Sequence, residues 1–212
     1  MQRGLDRARR HGLFITIEGV EGSGKTTQFN MLVDALTSRG LEVVGTVEPG
    51  GTLLGEEIRQ ILLDPRFSHM GPLSEAMLYA ADRAQHVQEV IMPALRQGKI
   101  VVSDRYVDSS LAYQGTARGV GLEAVKNLNE WATNSLYPDR TFLLDMPVEE
   151  GFSRLKRTRD RIESEPPFFH ENVRDAFIRL AKLFTGRIVV VDATMGRDEI
   201  HKDIMGHLDE LL

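Results

Sequence analysis

Apolar positions along the chain fall into two rhythms. Short runs rich in β-branched residues end abruptly in glycine or acid: Leu13–Glu18, Leu41–Val47, Ile100–Ser103, Thr141–Leu144 and Arg187–Val191. Such runs predict strands, and the first, apolar nearly throughout, is of the kind buried on both faces. Between them the spacing lengthens to three and four. Phe29, Leu32, Val33 and Leu36 predict a helix over 26–38 that stops near Gly40, and Ile58, Ile61 and Leu62 predict one over 54–63. Ser74 is placed to cap a long helix running to Leu95, with Glu75 in its first turn favouring the dipole and Pro93 kinking or restarting it. Further helices are predicted over 122–136, around the sole tryptophan Trp131, from 149 to 156, and over 198–211. Pro49, Gly50 and Gly51 force a turn after the second strand. Strands that alternate with helices predict an α/β fold, a five-stranded parallel sheet with right-handed crossovers and helices on both faces.

Composition narrows this picture. A chain of 212 residues is long enough for one sizeable core, and residues 13–212 are expected to form a single domain. Residues 1–12, with Arg3, Arg7, Arg9 and Arg10 against Asp6, lack the apolar stretch of a signal peptide and read as a flexible or appended tail. No apolar run approaches the ~20 residues of a membrane span. The expected location is the cytoplasm, with no membrane partner. The net charge of −5 implies no general affinity for nucleic acid, so any anion must meet a local basic pocket. There are no cysteines, which excludes disulfides, thiol catalysis and zinc–thiolate sites. The histidines, among them His69, His86 and His170, show no metal-binding spacing and read as packing or surface residues.

One stretch carries recognisable chemistry. After the first strand come Gly19, Val20, Glu21, Gly22, Ser23, Gly24, Lys25, Thr26 and Thr27, the G-x-x-x-x-G-K-[ST] pattern between a strand and a helix. Glycines let the backbone curl so that several N–H groups face one concavity, and the helix N-terminus adds positive potential. Lys25 is placed for the β- and γ-phosphates of a nucleoside triphosphate and Thr26 for Mg²⁺. The blander reading is a glycine-rich turn with an exposed lysine, and the flanking elements argue against it.

In sheets of this kind ligands bind beyond the carboxyl ends of the strands. The phosphate loop, Glu48 and the pair Asp104-Arg105 all fall there, which predicts one cleft. Tyr79 and Arg83, four apart on a helix, share a face. A ring and a guanidinium together suit a nucleobase, but spacing alone favours a core tyrosine and a surface ion pair.

Five segments together resemble the bacterial thymidylate kinases, which transfer the γ-phosphate of ATP to dTMP. They are Glu18–Thr27, Glu48-Pro-Gly-Gly-Thr52, Ala80-Ala-Asp-Arg-Ala-Gln85, Asp104-Arg-Tyr-Val-Asp-Ser-Ser-Leu-Ala-Tyr-Gln-Gly115 with Ala117-Arg-Gly119, and Asp160-Arg-Ile-Glu163. The resemblance implies that Tyr79 stacks on thymine, Arg83 bonds a base carbonyl, and Ser110 and Gln114 line the base pocket. It implies that Arg59 and Arg105 hold the dTMP phosphate and that Asp104 orients Mg²⁺ through water. Glu48, with Glu21 as a second acid, would sit by the sugar 3′-hydroxyl or the magnesium. It also implies a mobile lid, about 154–168, and a homodimer. Two departures stand out. Val47 occupies a position where the family usually has arginine, and Glu163-Ser-Glu-Pro-Pro-Phe-Phe carries paired prolines where relatives have none.

The expected chemistry follows from the acceptor. A phosphate monoester has a second pKa of ~6 and is already an anion at neutral pH, so no general base is required. What remains is repulsion between two polyanions, to be met by positioning and positive charge. Lys25, Mg²⁺ and Arg105 supply part. In bacterial relatives whose phosphate loop lacks an arginine the lid supplies one, and this loop has none, so the resemblance implies Arg157 or Arg159 in the basic run Arg154–Arg161 as the transition-state arginine, with Arg161 left to structure. Among rivals, a GTPase switch would need an Asn-Lys-x-Asp run, which is absent, and a non-catalytic module would have lost the partners that Thr26, Asp104 and Arg105 provide. A kinase for another monophosphate, such as dUMP or a deoxyguanosine-type acceptor, stays open.

Overall fold

The structure, a computed structural model, describes residues 12–155 and 158–212. Five parallel strands form its centre: β1 (Leu13–Gly19), β2 (Val43–Val47), β3 (Ile100–Asp104), β4 (Arg140–Asp145) and β5 (Ile188–Asp192), in the order β2-β3-β1-β4-β5. Each lies within two residues of its predicted span. The register sets Ile17 beside Asp104 on one side and Phe142 on the other, and Val47 beside Asp104, so the carboxyl ends of β1, β2 and β3 finish together. Connections leave the centre in opposite directions, toward β2 and toward β4, and that divergence opens a crevice above β1 and β3.

Alternation along the strands feeds two cores. Ile15, Ile17 and Val102 pack with Leu32 and Leu36 of α1 (Lys25–Ser38), while Phe14 and Val101 pack with Val87, Ile91 and Leu95. Around the sheet run α2 (Leu53–Leu63), α3 (Pro72–His86), α4 (Met92–Arg96), α5 (Val107–Ser110), α6 (Leu122–Thr133), α7 (Val148–Ser153), α8 (Pro167–Leu183) and α9 (Arg197–Leu208).

Several local expectations are corrected. Ser74 does not cap α3: the helix starts two residues earlier with Pro72 in its first turn and Gly71 at the cap, because proline is pre-set for that position and needs no N–H partner there. Glu75 is wholly buried and does more than favour the dipole. Pro93 does restart the helix as expected, standing in the first turn of α4. A π-helical turn, Val87–Ile91, joins α3 to α4 just ahead of it, a wider turn that accommodates the ring and the missing N–H. Trp131 is 86% exposed and contributes nothing to the core. Helix α8 was passed over, although Phe169, Val173, Ala176, Phe177 and Leu180 bury one face at helical spacing. Of the tail predicted for residues 1–12, all but Gly12 lies outside the described residues, and Gly12 N–H donates to Leu95 O at 2.9 Å.

Candidate active site

The phosphate loop follows β1 without slack. Gly19, Gly22 and Gly24 have φ of 147°, 73° and 91°, conformations that glycine adopts without strain. Gly22 also lies against Gly151 of α7. A Cβ on Gly22 would fall on the Gly151 carbonyl oxygen, and one on Gly151 would fall on that of Glu21. The loop closes on itself through Val20 O, which accepts from Ser23 N at 3.3 Å, Ser23 Oγ at 2.8 Å and Lys25 Nζ at 2.7 Å. Thr26 Oγ1 donates to Asp104 Oδ2 at 3.0 Å, joining the loop to the end of β3.

The next residue, Arg105, has φ of 72°, the left-handed region that a residue with a side chain rarely occupies. Its backbone N–H donates to Ile17 O at 3.0 Å, and its guanidinium reaches Gly19 O and Ser109 Oγ, each at 3.2 Å, and pairs with Glu21. Burial alone would raise the Glu21 carboxyl, but Arg105 and Lys25 override it and hold it at about 2. Burial and the neighbouring Arg105 pull Lys25 down, while Glu21, Asp104 and Glu18 oppose them. Beneath the loop, burial and Asp108 push Glu18 up to about 7, although it accepts from Tyr106 N, Ser109 N and Ser109 Oγ.

The other end of the crevice is built from side chains. Arg83 is 1% exposed. Its Nε donates to Glu48 Oε2 at 2.7 Å, Nη1 to Ser110 Oγ at 2.8 Å and to Asn129 Oδ1, and Nη2 to Tyr106 O at 3.2 Å. The pair of core tyrosine and surface ion pair is therefore overturned for Arg83: its ion pair is buried. His86 Nδ1 meets the second oxygen of Glu48 at 2.9 Å, and its Nε2 meets Thr46 Oγ1 at 2.6 Å. Asp82 accepts from Gly50 N at 2.9 Å, and burial next to Glu48 pushes it up to about 7. Tyr79 is half-buried, and burial and Glu75 raise its phenol, so the ring is neutral. Arg59 donates to Pro49 O at 2.7 Å.

A single cavity of about 830 Å³ spans both ends. Glu21, Gly22, Ser23, Gly24, Lys25, Thr26 and Thr27 line it, and so do Glu48, Arg59, Tyr79, Arg83, Asp104, Arg105, Ser110 and Gln114. Gly19 and Val20 stand behind the loop, which they shape through their carbonyl groups. Val47 lines the cavity, so the missing family arginine leaves an apolar wall there. Sequence reasoning missed Ser109 and Tyr113 beside Arg105, and Met195 and Arg197 after β5. Arg197 had one signal: its carbonyl accepts from Gln28 Nε2 at 2.8 Å because α9 packs beside α1, and that neighbourhood follows from β5 standing at the sheet edge.

Of the lid arginines, Arg157 lies outside the described residues. Arg159 does not line the cavity; its guanidinium stacks over the Phe152 ring at 4.6 Å. Arg154 does line it, and reaches Ala193 O and Glu150. Arg161 is buried, donating Nε to Leu62 O at 2.7 Å and pairing with Glu75 at 2.6 Å. Its backbone N–H also donates to Leu63 O at 3.0 Å, so the segment before α8 is tied to α2 and α3.

Comparison with known proteins agrees with this geometry. The sequence model of the family described as thymidylate kinase matches residues 17–204. The thymidylate kinase of Halothermothrix orenii is 50% identical over 198 residues, covering 91% of this chain and 94% of its own. That of a Sulfurihydrogenibium species is 49% identical over 199 residues, covering 94% and 98%. The crystal structure of thymidylate kinase from Ehrlichia chaffeensis superposes with a TM-score of 0.77 at 34% identity, over 93% of this chain and 98% of that one.

Proposed function

The chain belongs to the thymidylate kinase family, and from that premise we propose how its cavity phosphorylates dTMP to dTDP. The γ-phosphate of ATP passes in line to the 5′-phosphate of dTMP. The acceptor, with a second pKa of ~6, attacks as the anion it already is, and no side chain serves as general base. The observation that carries this reading is that Lys25, Arg105 and Tyr79 line the same cavity. A phosphate cradle, a bridging guanidinium and a stacking ring lie in one enclosure that suits a donor triphosphate at one end and a nucleotide at the other.

The loop N–H groups and Lys25 hold the donor phosphates, and Met195 and Arg197 flank its base. Arg59 and Arg105 hold the acceptor phosphate. Tyr79 stacks on thymine, Arg83 offers a remaining N–H to a base carbonyl, and Ser110 and Gln114 line the base pocket. Glu48 accepts from the sugar 3′-hydroxyl, while Glu21 keeps Arg105 aimed between the two phosphates. Thr26 and Asp104 would hold Mg²⁺ brought with ATP, which would supply positive charge to the donor phosphates. Thr26 Oγ1 and Asp104 Oδ2 are hard oxygens 3.0 Å apart at the loop, a fit for an ion that takes its other ligands from phosphate and water. Among the described residues no group of three or more His, Asp or Glu gathers to bind a metal by itself.

The last positive charge comes from the lid, through Arg154, Arg157 or Arg159, as the segment closes and excludes water. The enzyme works in the cytoplasm as a homodimer. Exposed Leu54, Ile61, Met77 and Trp131 on the adjacent helices α2, α3 and α6 support the dimer, and sedimentation tests it. No helix among the described residues is long and apolar enough to cross a membrane. A panel of nucleoside monophosphates with ATP and Mg²⁺ tests the reaction: dTMP is expected to be turned over in preference to dUMP, dCMP and dGMP. A preparation that hydrolyses ATP and phosphorylates none of them overturns it.

A further inference from the structure

Behind the base pocket lies a carboxylate that the mechanism does not use. Glu75 is 0% exposed and does not line the cavity. Its Oε1 accepts from Gln114 Nε2 at 2.9 Å and from Arg118 Nε at 3.1 Å, and its Oε2 faces Arg161 Nη1 at 2.6 Å. Arg118 also pairs with Glu165 at 2.7 Å. The two guanidinium groups thus hold one carboxylate oxygen each, and the Gln114 amide shares Oε1 with Arg118.

We propose that Glu75 is a positioning residue: by accepting from the Gln114 amide, it dictates that the amide oxygen faces the base, so that the pocket reads a ring nitrogen bearing hydrogen. The inference rests on the dTMP reading given above. Set against the guanidinium groups of Arg118 and Arg161, the Glu75 oxygens act as acceptors, so the end of Gln114 that meets them is the NH₂ group. The end left for the cavity is Oε1, an acceptor only. Thymine and uracil present N3–H, a donor, and cytosine presents a bare N3 lone pair. Acceptor against donor forms a hydrogen bond, whereas acceptor against lone pair leaves two buried polar atoms repelling each other. A glutamine with no anchor could rotate its amide and serve either base. Glu75 removes that freedom, and it does so from outside the cavity.

Glu75→Gln supplies the test, because a neutral amide at 75 can accept from Gln114 or donate to it. The ratio of kcat/KM for dTMP over that for dCMP is expected to fall at least about tenfold. Loosened packing around Arg118 and Arg161 would lower both substrates alike and leave the ratio in place. In a Gln114→Leu background the same substitution at 75 is expected to leave the ratio unchanged. A wild-type ratio in E75Q, or a shift that persists without Gln114, overturns the proposal. The wild-type protein crystallised with dTMP gives a reading that needs no variant. Gln114 is expected to keep its contact to Glu75 while its other amide atom lies within hydrogen-bond distance of N3, and a Gln114 turned away from Glu75 overturns the assignment. An enzyme inactive on dTMP overturns the underlying reading as well, and that is seen in the wild type before any substitution is made.

Discussion

The two ends of the cavity are made differently. In the proposed reading the donor end is a single stretch, residues 19–27, that would bind through its backbone, with Lys25 and Thr26 adding charge and a hydroxyl. The acceptor end takes side chains from α2, α3, α5, the turn after it and the lid, and ties them through buried ion pairs: Arg83 with Glu48, and Arg161 and Arg118 with Glu75. At the donor end the groups that bind are separable from the groups that hold the fold. At the acceptor end they are the same groups, so recognition of the base and stability of the protein cannot be varied independently.

The contrast can be broken at several strengths. Lys25→Ala is expected to cut turnover by about 10²–10³ or more, the loss typical of one electrostatic contact at a reacting centre, while dTMP affinity and the melting temperature hold. Equal losses of affinity or stability would merge the two ends. Arg83→Leu leaves buried Glu48 with His86 and no guanidinium, and is expected to cost about 3–5 kcal/mol in urea unfolding, as removal of one partner of a buried pair does. An unchanged unfolding midpoint would show that recognition and stability are separable there too. Among lid variants, Arg154→Ala, Arg157→Ala and Arg159→Ala are expected to differ in kcat, the residue that reaches the transition state losing about tenfold or more with KM for dTMP little changed. If none of the three changes kcat, the charge comes from elsewhere. The smallest effect concerns pH. Glu18 at the donor end and Asp82 at the acceptor end both sit near 7 because burial favours the neutral acid. Each binds its proton more tightly when folded, so the stability it contributes is full at low pH and falls as pH rises through about 7. Glu18→Gln keeps the acceptor for Tyr106 N and Ser109 N and is expected to flatten that decline in thermal melts between about pH 4.5 and 7. A decline of unchanged slope would assign it to Asp82 alone.

The same contrast explains what could be read from the sequence. The strands were legible because each is a dense apolar run, and the donor site because its residues are contiguous and their spacing is forced by the loop. Arg83 was misjudged as a surface ion pair because Glu48, Ser110 and Asn129 come from other elements, and no local pattern records that they converge. Glu75 was read as a dipole effect for the same reason: its partners lie 39, 43 and 86 positions away at Gln114, Arg118 and Arg161. The start of α3 was misplaced because Ser74 fits a capping rule that Pro72 had already pre-empted. Helix α8 was missed although its apolar face is periodic; the lid expected over about 154–168 takes in only its first two residues.

Gly22 and Gly151 belong to different elements, yet a methyl group on Gly22 would strike the Gly151 carbonyl and one on Gly151 would strike that of Glu21. The curvature of the nucleotide cradle is therefore moulded by a helix that never meets the nucleotide. If the loop holds ATP as proposed, a change that shifts α7 is expected to alter ATP affinity through bare backbone.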